Sequence, residues 1–301
     1  MTQPRILLTG VTGRLGPLVL DSLLKGAPAD EIACIVRPQS GDARAAAERL
    51  QALGVAVRHA DYDDPASLGP ALAGIERLML VSGSALGERV RQHRNVIEAA
   101  EDAGVGFIAY TSVLHADRST LSVGDDHRQT EAMLADSGVS YAVLRNGWYS
   151  ENLTPLIPAA LARHELLGAA GEGRISTAER GDYAAAAAAV ILSHEAQGSR
   201  IYECAGDDGF TMAEFAAEAA RQGGGEIAYR DLTEADYDAA LITAGFPAEL
   251  AKIFSTSHTA IAHGDLFDDS HDMSRLIGRP TVPIAVTIAN ALRRASARKS
   301  S

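Results

Sequence analysis

Three glycines near the N-terminus, Gly10, Gly13 and Gly16, have the spacing of an anion-binding turn. They follow a short apolar run at residues 6–9 and precede a helical pattern of apolar residues. A strand that runs through glycines into a helix N-terminus presents unpaired backbone N–H groups and the positive end of the helix dipole. The turn therefore predicts a site for a phosphate-bearing ligand.

The same turn has the features of a dinucleotide-binding fold. There the first glycine allows the tight turn, the second lets a pyrophosphate approach the backbone, and the third lets the helix pack on its strand. Spaced glycines also occur in ordinary strand–helix turns, but the strand before them and the helix after them favour a nucleotide. The predicted pyrophosphate-binding residues are Gly10, Thr12, Gly13, Arg14, Leu15 and Gly16.

The residue after the second predicted strand distinguishes between the two nicotinamide dinucleotides. An acidic residue about 20 positions beyond the glycines holds the adenosine ribose of NAD. Here that position is Arg37, whose guanidinium can pair with the 2′-phosphate of NADP, which a carboxylate would repel. We therefore expect NADPH as the cofactor, with Arg14 as a second positive charge. A solvated arginine at a strand end is the alternative interpretation.

Polar residues also follow the third, fourth and fifth predicted strands. In open α/β sheets the carboxyl ends of parallel strands form the crevice that binds ligands. Small polar residues end strands in many proteins, so one such residue is weak evidence of a site. Their position together at one edge of the sheet is stronger evidence. The predicted cofactor contacts at this edge are Asp61 near the adenine, Ser82, Gly83 and Ser84 near the ribose, and Thr111.

Short apolar runs and helical patterns alternate through the first half of the chain, which is typical of βαβ units in a parallel sheet. The predicted strands are residues 6–9, 32–36, 55–59, 78–82, 107–112 and 141–144. The predicted helices are residues 15–25, 43–53, 65–72, 88–103 and 126–135. We therefore expect an α/β protein with a Rossmann-type, doubly wound parallel sheet.

Beyond Trp148 the alternation gives way to helical patterns, which predicts a smaller, mainly helical C-terminal lobe. The predicted elements are helices 151–163, 182–194, 211–222, 234–244, 248–254 and 284–295, a glycine-rich loop at 168–173 and a strand at 199–204. Thr211 with Glu214 has the pattern of a capping box. The predicted domains are a nucleotide-binding lobe of residues 1–147, to which 182–204 returns, and a substrate-binding lobe of residues 148–181 and 205–301.

Composition narrows the classes of partner. The 301 residues carry a formal net charge of −12, which argues against nucleic acid or an anionic membrane because both need a positive surface. Cys34 and Cys204 have no cysteine nearby in the sequence, so we expect reduced core residues. Neither a signal peptide nor a run of about eighteen apolar residues is recognisable, and a cytoplasmic protein is expected.

Several longer runs resemble one protein family. They are GVTGRLG at 10–16, IVRP at 35–38, QHRNVI at 92–97, YTSVLHAD at 110–117, LRNGWYSEN at 144–152, GDLFDD at 264–269 and LIGRPT at 276–281. Together they resemble the NmrA-like, atypical short-chain dehydrogenase/reductases, and within them the bacterial NAD(P)H:quinone oxidoreductase 2 (QorB) type. The glycine turn is shared with many reductases, whereas the HRNVI, YTSxLHAD and RNGWYSEN runs are much more specific.

This resemblance implies an NADPH-dependent quinone oxidoreductase, with NADPH on the Rossmann lobe and a small-molecule quinone between the lobes. It implies that residues 146–149 lie near the nicotinamide and that Arg174 or Arg180 lies near the substrate. The implied cofactor contacts are Asn146, Gly147, Trp148 and Tyr149, and the implied substrate contacts are Trp148, Tyr149, Arg174 and Arg180. Aromatic side chains beside a strand end are also common in protein cores, so Trp148 and Tyr149 have that alternative.

The chain departs from typical short-chain reductases in its acid–base residues. Those enzymes use a Tyr-x-x-x-Lys pair, whose lysine lowers the tyrosine pKa, whereas here His127 and Glu131 occupy the two positions. A quinone tolerates the loss, because it is strongly electrophilic and its reduced anion can take a proton from water; NADPH then supplies the chemistry and the protein positions it. Asn146, Tyr149 and His127 are the candidate catalytic residues. His127 and Glu131 equally predict a helix-face pair.

Two other functions stay open. One is a non-catalytic NADP(H)-sensing regulator, which the missing Tyr/Lys pair favours. The other is a reductase of another planar electrophile, such as a triphenylmethane or azo dye. The oligomeric state is open as well, with a homodimer among the alternatives.

Other motifs are discounted. The His and Asp residues between 258 and 271 match no zinc or calcium template, so no metal is expected, and no flavin either. Residues 92–95 lie on a predicted helix, where polar side chains are expected to face solvent. Neither a Gly-x-Ser-x-Gly elbow nor a Walker motif occurs.

Overall fold

A computed structural model of the chain describes residues 3–38, 41–85, 87–193, 195 and 198–299. The chain forms two compact units. The first comprises Met1–Val113, Asp125–Arg145 and Tyr183–Tyr202, and the second comprises Leu114–Gly124, Asn146–Asp182 and Glu203–Ser301. The lobe boundaries expected from the sequence stay a prediction.

The strands are β1 Ile6–Leu8, β2 Ile32–Val36, β3 Ala56–His59, β4 Arg77–Leu80, β5 Phe107–Val113, β6 Ser140–Asn146, β7 Glu165–Gly168, β8 Arg174–Ile175, β9 Arg200–Cys204, β10 Phe210–Thr211 and β11 Ala228–Asp231. The α-helices are α1 Gly16–Leu23, α2 Ala43–Ala52, α3 Pro65–Leu72, α4 Arg89–Asp102, α5 Gly124–Asp136, α6 Ser150–Leu153, α7 Ile157–Arg163, α8 Arg180–Leu192, α9 Met212–Gly223, α10 Glu234–Thr243, α11 Ala248–Ala262, α12 Asp272–Ile277 and α13 Ile284–Lys299. Short 3₁₀ turns occupy Ala29–Glu31 and Thr154–Leu156.

Seven strands form the large sheet in the order β3-β2-β1-β4-β5-β6-β9, and β1 to β5 pair in parallel. This doubly wound order confirms the predicted Rossmann-type fold. Strands β1 and β2 are buried along their whole length, as expected of apolar strands covered on both faces. The strand order reverses between β1 and β4, the place where such sheets bind ligands.

The second unit contains more strand than the sequence predicts. Strands β8 and β10 pair antiparallel, and β7 and β11 pair in parallel. These strands are two to four residues long and β7 runs into the glycine-rich segment, so they lack the alternation that marks a strand in a sequence. The capping box of α9 is confirmed, because Thr211 and Glu214 each bind the other's backbone N–H.

Several helices differ from expectation. The predicted helix 151–163 is divided into α6, a 3₁₀ turn and α7, and α12 lies where a polar loop is predicted. Helix α8 begins at Arg180 and ends at Leu192, and the predicted final residue, His194, lies outside the described residues. Helix α11 continues to Ala262, whereas the sequence predicts a polar loop after Phe254. The extension contains Ser255, Ser257 and His258, which are buried and therefore belong to the helix's packed face.

His258 is buried on that face of α11, and both of its ring nitrogens have a hydrogen-bond partner. Its Nδ1 accepts the Ala169 N–H at 3.2 Å, and its Nε2 lies 3.4 Å from the Tyr237 hydroxyl. Burial lowers the pKa of His258 to about 4, so the ring is neutral near pH 7.

Among the described residues no helix combines the length and apolar character needed to cross a bilayer.

Gly16 generates a first prediction. A Cβ at this position would collide with the backbone carbonyl of Gly10, whereas a Cβ at Gly69 in α3 would meet nothing within 4 Å. We expect Gly16→Ala to destabilise the protein by about 1–3 kcal/mol, the usual range for overpacking. Gly69→Ala should be neutral or stabilising by up to about 1 kcal/mol. Urea unfolding measures both, and equal stabilities would contradict the prediction.

His258 generates a second prediction, on pH. Its pKa is lower in the folded chain than in the unfolded chain, so unfolding takes up a proton between about pH 6.5 and pH 4. Stability from this residue is therefore present above that window and is lost as the pH falls. The loss approaches about 1.4 kcal/mol per pH unit. His258→Phe should flatten the fall in unfolding free energy between pH 7 and pH 5.

The control is His263→Asn, which changes an exposed histidine at the end of the same helix. A flatter pH slope in His258→Phe than in His263→Asn would assign the effect to His258. Equal slopes for His258→Phe and the unchanged protein would show that His258 does not titrate as its burial requires.

Candidate functional site

The glycine turn joins β1 to α1 at the edge of the large sheet. Gly10 has a φ of +70°, and the Gly13 N–H donates to its carbonyl at 3.0 Å. Thr12 and Arg14 are exposed. Within the described chain no side chain caps α1, and its first turn holds no acidic residue. The helix N-terminus can therefore accept an anion.

A side-chain bond ties this turn to the segment after β4. The fully buried Thr9 hydroxyl accepts the Val81 N–H at 2.9 Å. A Cβ at Gly10 would lie 3.0 Å from the Cβ of Val81. The two chain segments on either side of the sheet's reversal point are thus held in close contact.

Arg37 lies exposed directly after β2, as predicted. Hydrogen bonds from Arg91 and Gln92 lower the pKa of the Asp63 carboxyl, and the charge of Arg37 makes a smaller contribution in the same direction. Arg91 donates to Asp63 at 2.6 Å. Two arginines therefore interact with one carboxylate at this edge, and no sequence pattern identifies Arg91 as one of them.

Asp61 makes a local turn. Its Oδ1 accepts the Asp63 N–H at 3.1 Å, and its own N–H donates to the Ser67 hydroxyl at 2.9 Å. The structure thus gives Asp61 a role in shaping the end of β3. Its contact with an adenine stays a prediction.

Residues 82–84, after β4, are held by side chains from two other elements. The Ser82 N–H donates to the Thr111 hydroxyl at 2.8 Å, and the Gly83 N–H donates to Nε2 of His93 at 3.1 Å. Arg89 donates to the Gly83 carbonyl at 2.8 Å. Thr111 therefore supports the predicted loop from β5.

The expected solvent exposure of residues 92–95 is wrong for two of them. Gln92 and His93 are 8% and 0% exposed. His93 shares the buried face of α4 with Val96, Ile97 and Ala100, at the helical spacing that the sequence already contains. That periodicity could have identified His93 as buried.

The polar residues of α5 bind the ends of two strands. His127 is hydrogen-bonded to the Tyr110 hydroxyl at 2.7 Å. Glu131 accepts the Ser112 hydroxyl at 2.5 Å and two bonds from Arg145, at 2.8 and 3.1 Å. The two positions of the missing Tyr/Lys pair are thus occupied by residues with partners inside the first unit.

Burial sets the charge of the two histidines in this region. It lowers the pKa of both His93 and His127 to about 3, with a smaller contribution from the positive charge of Arg89. Both rings are therefore neutral near pH 7. A neutral His127 ring is not an imidazolium acid near pH 7. The proposed catalytic role of His127 stays an expectation, and the low pKa of the ring does not favour it.

Asn146, Gly147 and Tyr149 belong to the second unit. The Asn146 carbonyl accepts the Leu114 N–H at 2.9 Å, and the Gly147 N–H donates to the Cys204 carbonyl at 2.8 Å. Asn146 is 6% exposed, and its Oδ1 has no hydrogen-bond partner among the described residues. A buried acceptor without a donor is costly unless a ligand supplies one. The amide N–H of a nicotinamide carboxamide is such a donor.

Trp148 and Tyr149 continue this segment, and both are half-buried. The Arg180 guanidinium carbon lies 4.6 Å from the centre of the Tyr149 ring, and Arg180 donates to the Asn152 side chain at 2.7 Å. Burial raises the pKa of Tyr149, while the charge of Arg180 and a hydrogen bond from Asn146 oppose the rise. The Tyr149 phenol is protonated near pH 7 and has a cation beside its ring.

The second predicted substrate arginine has other partners. Arg174 is exposed, donates to the Gly209 carbonyl and lies 3.8 Å from Glu214. It holds β8 to the segment that precedes α9. Of the two arginines, Arg180 is the one that contacts Tyr149 within the second unit.

The runs around His115 and Asp265 meet in the second unit. The His115 N–H donates to Glu203 at 2.9 Å, and its Nε2 lies 3.0 Å from the Phe267 carbonyl. Thr120 binds Asp265 through its N–H and hydroxyl. In the part of the chain that the structure describes, no three His, Cys, Asp or Glu side chains are grouped to hold a metal ion.

Comparison with known proteins identifies the family of this fold. The NmrA-like family matches residues 2–277. Quinone oxidoreductase 2 of Escherichia coli (strain K12) is 50% identical over 285 residues, which cover 95% of this chain and 98% of that protein.

Two solved structures superpose closely. The E. coli NADPH-dependent quinone oxidoreductase complexed with NADPH has a TM-score of 0.90 at 49% identity and covers 95% of this chain and 99% of its own. The Citrobacter sp. triphenylmethane reductase complexed with NADP(H) has a TM-score of 0.89 at 32% identity, with coverage of 95% and 99%. The chain belongs to the NmrA-like family.

Proposed function

We propose that this protein is an NADPH-dependent oxidoreductase that transfers a hydride to a quinone. The observation that carries the proposal is the 50% identity to E. coli quinone oxidoreductase 2 over nearly the whole of both chains. A related structure was solved with NADPH bound. The uncapped helix after the glycine turn and the unpaired Oδ1 of Asn146 fit the phosphates and the carboxamide of that cofactor.

We assign the cofactor contacts as follows. The backbone of the glycine turn and the N-terminus of α1 bind the pyrophosphate, because they combine exposed N–H groups with a helix dipole. Arg37, with Arg91 nearby on Asp63, binds the 2′-phosphate. Residues 82–84 line the ribose. When bound, NADPH supplies the hydride and with it both electrons of the reduction.

The second unit supplies the groups for the acceptor. Asn146 Oδ1, which is buried without a donor in the described structure, would accept an amide hydrogen of the nicotinamide. Tyr149 is the proton donor: its Oη–H gives a proton to an oxygen of the reduced acceptor, and the Arg180 charge beside the ring stabilises the phenolate that remains. Tyr149 then recovers its proton from water. The planar side chains of Trp148 and Tyr149 suit a flat acceptor.

NADPH oxidation with and without an acceptor tests the function. We expect a rate that depends on benzoquinone or menadione, measured as loss of NADPH absorbance. A rate with a triphenylmethane dye and none with a quinone would favour a dye reductase, the function of the relative at 32% identity. Tight NADPH binding without turnover of either acceptor would contradict the enzyme assignment and favour a sensor.

Replacing Arg37 tests the cofactor preference. Arg37→Asp removes a guanidinium and adds a charge that repels a 2′-phosphate. We expect the Kd of NADPH to rise about 10- to 100-fold, in line with losing a charge-assisted bond, while the Kd of NADH changes little. The control is Arg44→Asp, an equal charge change at an exposed ion pair with Glu48 on α2. Equal losses for NADPH and NADH would refute the assignment of Arg37.

A further inference from the structure

We propose that His93 is a positioning residue that holds the loop of residues 82–84 for the cofactor; this inference rests on the proposed function. Both backbone polar groups of Gly83, its N–H and its carbonyl, are hydrogen-bonded to side chains of α4. Its N–H donates to His93 Nε2 at 3.1 Å, and its carbonyl accepts Arg89 Nε at 2.8 Å. We call His93 and Arg89 the Gly83 clamp.

The hydrogen bonds fix the tautomer of His93. Because the Gly83 N–H is a donor, Nε2 must present a lone pair and the ring proton must lie on Nδ1. Nδ1 then donates to the Thr130 hydroxyl at 3.1 Å, and that hydroxyl donates to the Asp126 carbonyl at 2.9 Å. A chain of three bonds with one direction therefore runs from the loop to α5.

Both members of the Gly83 clamp are anchored on the same helix. Arg89 donates to the Asp126 carboxylate at 2.8 Å, and the backbone carbonyl of the same residue accepts the Thr130 hydroxyl. His93 is 0% exposed and Arg89 is 6% exposed. Buried hydrogen bonds of this kind are costly to break, because water does not replace the lost partner. The clamp therefore fixes one conformation of the Gly83 backbone.

The clamped loop lies where a cofactor would need it. It follows β4, next to β1 in the sheet, and the Thr9–Val81 bond connects it to the glycine turn. A loop that is already ordered loses less conformational entropy when a ligand binds. We therefore expect loss of His93 to weaken NADPH binding and to leave the rate at saturating NADPH largely unchanged.

The test uses His93→Phe and Thr130→Val in the full-length protein. His93→Phe leaves the Gly83 N–H without its acceptor. Thr130→Val removes the hydroxyl that binds His93 Nδ1 and keeps the imidazole ring of His93. Amide hydrogen exchange of peptides containing residues 82–84 is measured without NADPH, and the Kd of NADPH and kcat are measured separately. We expect faster exchange in both variants and a Kd about tenfold higher in His93→Phe, with kcat retained.

A double variant tests whether the two residues act in one chain. Because both belong to the same bond chain, His93→Phe with Thr130→Val should raise the Kd little more than His93→Phe alone. The matched control is His258→Phe, which also removes a buried histidine that accepts a backbone N–H, in the second unit. It should lower thermal stability without changing the Kd of NADPH or the exchange of the loop.

Unchanged exchange at residues 82–84 in His93→Phe and Thr130→Val would overturn the inference. So would a Kd that rises no more in His93→Phe than in His258→Phe. Failure of the unchanged protein to bind NADPH would overturn the proposed function instead, and the exchange measurement would still decide whether His93 holds the loop.

Discussion

The ion pair between Glu131 and Arg145 is the interaction on which the ends of β5 and β6 in the first unit depend. Their side chains are 13% and 10% exposed and share two hydrogen bonds. Glu131 also accepts the Ser112 hydroxyl, so one carboxylate joins α5 to β5 and β6. Leaving either charge buried without the other costs about 3–5 kcal/mol. The pair therefore fixes the end of β6 immediately before Asn146.

This arrangement gives a physical reason for the missing Tyr/Lys pair. In typical short-chain reductases the corresponding helix positions face the reaction, whereas here His127 binds Tyr110 and Glu131 binds Arg145. In this structure both side chains are hydrogen-bonded to residues of β5 and β6. A tyrosine with a neighbouring cation is found instead in the second unit, where Arg180 lies against Tyr149. A strongly electrophilic acceptor fits such a site, because it demands little acid catalysis.

The parts of the fold that are coded locally could be predicted from the sequence. The apolar run of β2 and the capping box of α9 each depend on neighbouring residues, and both are found as predicted. The pairing of β7 with β11 depends on residues far apart in the chain, and neither strand has a periodic pattern. The position of Arg91 cannot be predicted for a similar reason. Its contact with Asp63 joins the loop after β3 to α4, and nothing in either segment alone predicts it.

Strand β9 has a consequence for how the chain must be made. It closes the sheet beside β6 but follows the first long segment of the second unit in the sequence. A nascent chain that ends before residue 200 has all of the glycine turn and the Gly83 clamp, yet its β6 is an open edge with unpaired backbone groups. Such edges recruit other strands and aggregate. The first unit is therefore complete only after about two-thirds of the chain has left the ribosome, and we expect a fragment cut at residue 147 to expose this edge.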